Sequence, residues 1–153
     1  MIRHVWSVLC SKVSVDRDSN NVSLFEVIES LQLTTAAPVN FPANVPFEGT
    51  LVTLWARQRP DQPVTGQMRV RLLAPNGDQL GTFNSEIDLN RSTRNRVIGS
   101  MSGLRIAGEG VHEIEVAWRV DTHADWHVAT SLPLEIAVRV DPAIAQPRAE
   151  HPA

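Results

Sequence analysis

The clearest structural signal in this chain is the segment GEGVHEIEVAWRV, which occupies residues 108–120. After a glycine-marked bend, apolar and polar side chains alternate, which places them on opposite faces of a β-strand. The face predicted to be buried carries His112, Ile114, Val116, Trp118 and Val120. The face predicted to meet water carries Glu113, Glu115 and Arg119. Strands with one buried face and one solvent-exposed face are typical of β-sandwiches.

Similar strand patterns recur along the rest of the chain, with turn-forming residues between them. Asn76 and Gly77 lie between apolar runs and give a strong β-hairpin signal. About eight strands and few helix signals predict an all-β fold with a two-layer antiparallel β-sandwich. We favour an immunoglobulin-like sandwich because the bend before His112 resembles a corner that often holds a tyrosine in that fold. The chain contains no tyrosine, so a C2-like or jelly-roll sandwich is the alternative.

Two segments are harder to assign. Residues 22–33 suit either a helical stripe or a strand, and the neighbouring β-branched and turn residues favour a strand. Residues 37–47 contain Pro38, Pro42 and Pro46, and proline offers no N–H to a ladder, so we expect a crossover or an edge segment. The predicted domain comprises residues 1–140, and the Pro- and Ala-rich residues 141–153 are predicted to be disordered.

The composition limits the functions to be considered. The chain has 153 residues, which suits one domain, and a formal net charge of −3, which argues against general nucleic-acid binding. The sequence shows no signal-peptide pattern and no apolar run long enough to span a membrane, so we expect a cytoplasmic protein with no membrane partner. Cys10 is the only cysteine, and its apolar neighbours predict a buried, unreactive thiol.

Three segments together are similar to a bacterial protein family. They are residues 20–29 (NNVSLFEVIE), the dipeptide formed by Phe41 and Pro42, and residues 73–78 (LAPNGD). They resemble an early strand, a Phe-Pro crossover and a hairpin turn in a family of short bacterial proteins known only as a domain of unknown function. The resemblance covers most of residues 1–140. It implies a β-sandwich of bacterial origin, and it implies no activity and no catalytic residues.

The best candidate for a binding site is the segment HADWH, residues 123–127. On a strand, His123, Asp125 and His127 would point in the same direction. Two imidazoles and a carboxylate can bind a divalent metal ion, although the sequence does not indicate a fourth ligand. The alternative is a solvated hairpin edge, which would present the same face.

Other polar clusters also have structural alternatives. Residues 16–20 resemble the start of a calcium loop, but the later ligands are missing and a hairpin turn is favoured. Arg91, Arg94 and Arg96 either contact an acidic patch of a partner or form a solvated turn. His112 is expected to be a core histidine hydrogen-bonded to the backbone. The sequence contains no nucleophile elbow, phosphate loop or dinucleotide-binding motif.

These observations predict a non-enzymatic protein-interaction or binding module with no cofactor. Sheet edges and loop ends offer contact surface, and edge strands pair readily with partner strands. We therefore expect an unknown protein partner or a homodimer formed through a sheet edge. The second hypothesis is a small-ligand or divalent-metal-binding domain that uses residues 123–127, and an enzyme is the third.

Overall fold

Two β-sheets pack face to face in the computed structural model, which describes residues 1–145. The all-β prediction is confirmed, because this part of the chain contains nine strands and one short 3-10 helix, Pro142–Ala145. The strands are β1 (Ile2–Val15), β2 (Val22–Val27), β3 (Ser30–Thr35), β4 (Ala43–Arg57), β5 (Val64–Leu73), β6 (Gln79–Leu89), β7 (Arg94–Ile106), β8 (Gly110–Arg119) and β9 (His127–Val140). The 3-10 helix falls in the segment 141–153 that is predicted to be disordered, and residues 146–153 lie outside the described residues, so the disorder of this segment stays a prediction.

The strand order agrees with an immunoglobulin-like sandwich. One sheet has the order β2-β1-β4-β7 and the other has the order β3-β9-β8-β5-β6. In the immunoglobulin fold, one sheet contains strands A, B and E, and the other contains C, F and G. Strands β1, β4 and β7 match the first set, and β5, β8 and β9 match the second. The strands pair antiparallel except for β3 and β9, which run parallel, so a purely antiparallel sandwich is wrong at this one pair.

Strand β8 buries the face that its alternation predicts. Ile114 and Val116 are 2% and 0% exposed, and both belong to the core between the sheets. Trp118 is partly buried against the same core. Val120 lies beyond the end of the strand and is exposed, so the predicted dry face is one residue too long.

The bend before β8 is fixed by His112. The imidazole is fully buried, and its Nε2 accepts a hydrogen bond from the N–H of Ala107 at 3.0 Å. Gly108 and Gly110 have φ values of 116° and 122°, which glycine adopts without strain. The prediction of a backbone-bonded core histidine is confirmed, and the imidazole fixes this corner much as a tyrosine does in immunoglobulin domains.

Residues 22–33 form strands, as predicted, but two of them rather than one. β2 pairs with β1 in the four-stranded sheet, and β3 pairs with β9 in the five-stranded sheet. The chain crosses between the sheets at Ile28 and Glu29. There the N–H of Ile28 donates to the carbonyl of Leu9, and the N–H of Glu135 donates to the carbonyl of Glu29. These two bonds join the sheets at one side of the sandwich.

The hairpin of β1 and β2 folds back across the outer face of the four-stranded sheet. Pairing between β1 and β4 ends at Cys10, opposite Thr50, and β1 continues with β2 as its partner. Arg96 of β7 lies opposite Leu54, further along β4, and its Nη2 donates to the carbonyl of Asn20 in the hairpin turn at 2.8 Å. A hairpin that continued straight would move away from Leu54, so it must bend over the sheet.

The β1–β2 hairpin, which covers the outer face of the four-stranded sheet, explains the burial of Cys10. Cys10 and Val52 lie outside the core cluster between the sheets, yet both are 0% exposed. Burial raises the pKa of the Cys10 thiol, although backbone hydrogen bonds partly oppose the effect. A raised pKa disfavours the reactive thiolate. The prediction of a buried thiol is therefore confirmed.

Candidate functional site

The predicted metal site falls mostly in a turn. His123 and Asp125 lie between β8 and β9, and only His127 belongs to a strand. The carboxylate of Asp121 accepts hydrogen bonds from the N–H groups of His123 and Ala124, at 2.8 and 2.9 Å, which fixes the turn. The prediction that His123, Asp125 and His127 share one face assumed a strand over residues 123–127. Residues 123–126 do not form a strand, so this argument is wrong.

The structure gives His127 a different contact. Its ring packs against Trp118, with 5.2 Å between the ring centroids. Within residues 1–145, no group of three or more His, Cys, Asp and Glu side chains is arranged to hold a metal ion. His123, Asp125 and His127 are therefore not brought together as a ligand set.

Trp126 gives the same turn a packing function. The guanidinium carbons of Arg69 and Arg119 each lie 4.4 Å from the centroid of its ring, which is the geometry of a cation–π contact. Arg119 is held further by hydrogen bonds to the Gln67 side chain and to the carbonyl of Thr122, both 2.9 Å long. Burial, with the nearby guanidiniums of Arg71 and Arg119, lowers the pKa of Arg69. The turn is thereby fixed onto the five-stranded sheet.

The segment that resembled a calcium loop is the turn of the β1–β2 hairpin, as favoured from the sequence. Oδ1 of Asp16 accepts hydrogen bonds from the N–H groups of Asp18 and Ser19 and from the hydroxyl of Ser19, at 2.7 to 3.0 Å. These bonds, chiefly those from Ser19, lower the pKa of Asp16. The carboxylate is thus occupied by its own turn.

An apolar groove opens on the side of the sandwich where the chain crosses between the sheets. We call it the lateral groove. It has a volume of about 410 Å³. Its apolar wall is formed by Val8, Val27, Val111, Leu132 and Pro133. Val27 is 57% exposed and Val111 is 49% exposed, so both could be covered further by a bound molecule.

Within the part of the chain that the structure describes, the charged residues that line the lateral groove are both acidic. They are Glu29, at the crossing between the sheets, and Glu135, which pairs with Val111 across β8 and β9. In the described part of the chain, the one salt bridge joins Arg71 to Glu115, so neither carboxylate of the groove has a cation paired with it. The groove therefore combines an apolar wall with uncompensated negative charge.

The lateral groove also borders an open strand edge. β3 pairs only with the second half of β9, from Glu135 to Val140. The first half of β9, which includes Leu132 and Pro133, has β8 as its strand partner on the other side. An extended segment can add to such an edge through backbone hydrogen bonds, although Pro133 offers no N–H there.

A histidine–serine pair lies at the groove, and sequence reasoning missed it. Nε2 of His4 is 2.7 Å from Oγ of Ser7, which lines the groove. Burial lowers the pKa of His4, and a backbone hydrogen bond with Trp6 opposes this in part. Residues three apart on a regular strand point to opposite faces. A register shift between His4 and Trp6 brings these two together, and the sequence carries no signal for it.

Comparisons with protein families and with curated proteins found no match. The resemblance to a bacterial family therefore stays a prediction. No helix in residues 1–145 has the length and apolar character needed to cross a membrane.

Proposed function

We propose that this protein is a non-enzymatic interaction module that binds an extended segment of another protein in the lateral groove. The segment would carry apolar side chains together with lysine or arginine. One observation carries the proposal: half-exposed valines and two carboxylates line the same groove, and no cation from residues 1–145 lines it.

The apolar wall supplies the affinity in this proposal. Val27 and Val111 expose about half of their surface beside the partly buried Val8 and Leu132. Covering a half-exposed valine contributes roughly 1 kcal/mol, from about 25 cal/mol for each Å² of apolar surface removed from water. Clustered apolar side chains on a folded domain frequently mark a binding site. The groove thus offers more than scattered surface valines would.

The carboxylates and the open edge of β9 supply the selectivity. Glu29 and Glu135 attract cationic side chains and repel acidic ones. The unpaired half of β9 favours a ligand in the extended conformation, because such a ligand can hydrogen-bond to a strand edge. Together these features favour a cationic extended segment over a second copy of this acidic chain.

The His4–Ser7 pair is assigned a structural function. A nucleophilic serine needs a base that a further group orients, and donors that stabilise the developing oxyanion. The side-chain hydrogen bonds of the described residues give His4 no carboxylate partner, and its ring packs edge-to-face on Trp55 with centroids 5.1 Å apart. A bacterial cytoplasm is part of the proposal, and a single buried, free Cys10 fits a reducing compartment.

The test uses short fluorescent peptides in which valine alternates with lysine or with glutamate, measured by fluorescence anisotropy. We expect the lysine peptide to bind and the glutamate peptide to bind much more weakly. Val27→Asn should weaken binding of the lysine peptide roughly fivefold, because the lost apolar contact is worth about 1 kcal/mol. The matched control is Ile98→Asn, since Ile98 is 45% exposed on β7, at the opposite edge of the sheet from β2.

Three results would overturn the proposal. The first is that neither peptide binds. The second is that Val27→Asn and Ile98→Asn change binding equally. The third is a concentration-dependent dimer of the wild-type protein, seen by light scattering, that Val27→Asn abolishes, because that result would assign the groove to self-association.

A further inference from the structure

A second concave site lies between two turns at another part of the molecule. The turn of the β1–β2 hairpin and the turn before β7 enclose a pocket of about 410 Å³ over Leu54. We call it the arginine pocket. Its polar lining consists of Ser19, Asn20, Asn21, Ser92, Thr93, Arg94 and Arg96. Of the three arginines noted in the sequence, Arg94 and Arg96 line this pocket and Arg91 does not.

The charge of the arginine pocket is entirely positive. Among residues 1–145, Arg94 and Arg96 are the only ionisable residues that line it, and neither forms a salt bridge with another described residue. The hairpin turn contains Asp16 and Asp18, but neither lines the pocket, and Oδ1 of Asp16 accepts hydrogen bonds from the N–H groups of Asp18 and Ser19. The pocket thus holds two cations without a counterion among the residues that line it.

The guanidinium of Arg96 is held in place but only partly satisfied. Its Nη2 donates to the carbonyl of Asn20 at 2.8 Å, whereas its Nε is buried and has no hydrogen-bond partner in the described structure. The remaining donors around the pocket are the side-chain amides of Asn20 and Asn21 and the hydroxyls of Ser92 and Thr93, because the hydroxyl of Ser19 already donates to Asp16. Donors of these types commonly surround bound oxyanions.

We propose that the arginine pocket binds an oxyanion, and that its ligand is a small molecule carrying a phosphate group. Arginine forks match the geometry of phosphate oxygens, and the surrounding amides and hydroxyls provide further donors. A phosphate group has three terminal oxygens to accept these bonds, whereas a carboxylate has two. The volume lies within the range of small-molecule sites, so the pocket has room for the rest of a ligand such as a phosphorylated sugar.

The test is a titration of the full chain with inorganic phosphate, monitored by NMR through the chemical shifts of the backbone amides. Chloride keeps the ionic strength constant. We expect saturable shifts confined to residues 19–21 and 92–96. Arg94→Gln should weaken binding by roughly tenfold or more, the usual effect of losing a charge-assisted hydrogen bond. Arg94 suits the test because its side chain makes no hydrogen bond with other described residues, so the fold should be unaffected. Arg139→Gln, an exposed arginine on β9, is the control.

The proposal fails if the shifts rise linearly without saturation, or if Arg94→Gln binds phosphate as tightly as Arg139→Gln. A parallel titration with succinate distinguishes the two kinds of oxyanion. Weaker binding of succinate supports a phosphate ligand, and equal or tighter binding overturns that assignment.

Discussion

The lateral groove and the arginine pocket have similar volumes, about 410 Å³ each, but opposite chemistry and different construction. The groove is lined by strands, by apolar side chains and by the carboxylates of Glu29 and Glu135. The pocket is lined mainly by turn residues, by neutral donors and by the guanidiniums of Arg94 and Arg96. One acidic sandwich of modest size therefore presents two sites of opposite charge.

The difference in construction has a physical consequence. Backbone ladders of the sheets hold the walls of the groove, so its shape should survive single substitutions at its surface. The two turns around the arginine pocket are far apart in sequence, and the Arg96–Asn20 hydrogen bond connects them. The pocket therefore depends on a side chain for its shape, and we expect it to be the more easily altered of the two.

The largest expected effect comes from reversing the charge of the groove. Glu29→Lys combined with Glu135→Lys should change the ratio of lysine-peptide to glutamate-peptide affinity by roughly tenfold or more, because each exposed ion pair is worth about 0.2–1 kcal/mol and reversal replaces attraction with repulsion. Fluorescence anisotropy measures the ratio. Phosphate affinity should stay unchanged, which serves as the internal control. A ratio that does not move would show that the carboxylates do not contribute to recognition.

A smaller effect is expected from removing the link between the two turns. Arg96→Gln should lower the free energy of unfolding by about 1 kcal/mol, since the hydrogen bond to the Asn20 carbonyl is lost. Urea unfolding measures the change. Arg94→Gln is the control, and its effect should stay within about 0.5 kcal/mol because its side chain contacts no described hydrogen-bond partner. Equal stabilities of the two variants would mean that Arg96 does not hold the turns together.

The parts of the fold that were predicted from the sequence depend on local periodicity. Alternation identified the buried face of β8, and the Asn76-Gly77 signal identified the β5–β6 hairpin. The same rule failed at residues 123–127, because it assumes a strand, whereas Asp121 caps a turn there. Alternation states which side chains share a face only after the backbone is known to be extended.

The candidate sites could not be predicted in this way. The lateral groove exists because the chain leaves one sheet at Ile28 and joins the other, and neither the crossing nor its partners have a local signal. The arginine pocket joins residues 76 positions apart in the chain, Asn20 and Arg96. The sequence did single out Arg91, Arg94 and Arg96, but only as a solvated turn or as a contact for an acidic patch of a partner. What it lacked was the fold of the β1–β2 hairpin over the sheet, which is a tertiary contact.

The smallest expected effect is a pH dependence of the free energy of unfolding. It arises from His4 beside the lateral groove and not from the arginine pocket. The folded protein holds the pKa of His4 below its usual value near 6.5, mainly through burial. As the pH falls through 6.5, the unfolded chain takes up a proton at His4 while the folded chain does not, so the unfolded state is favoured. The stability contributed by neutral His4 is thus present above the unfolded pKa and is lost as the pH falls towards the folded pKa.

Replacing His4 separates its contribution from those of the other titratable groups. Urea unfolding of the wild type should show stability that decreases from about pH 7.5 to about pH 5.5, and His4→Gln should show a shallower decrease over that range. No histidine within residues 1–145 lines the arginine pocket, so Arg94→Gln should keep the wild-type slope. If His4→Gln and the wild type lost stability in parallel, burial of the imidazole would not be the source of the slope.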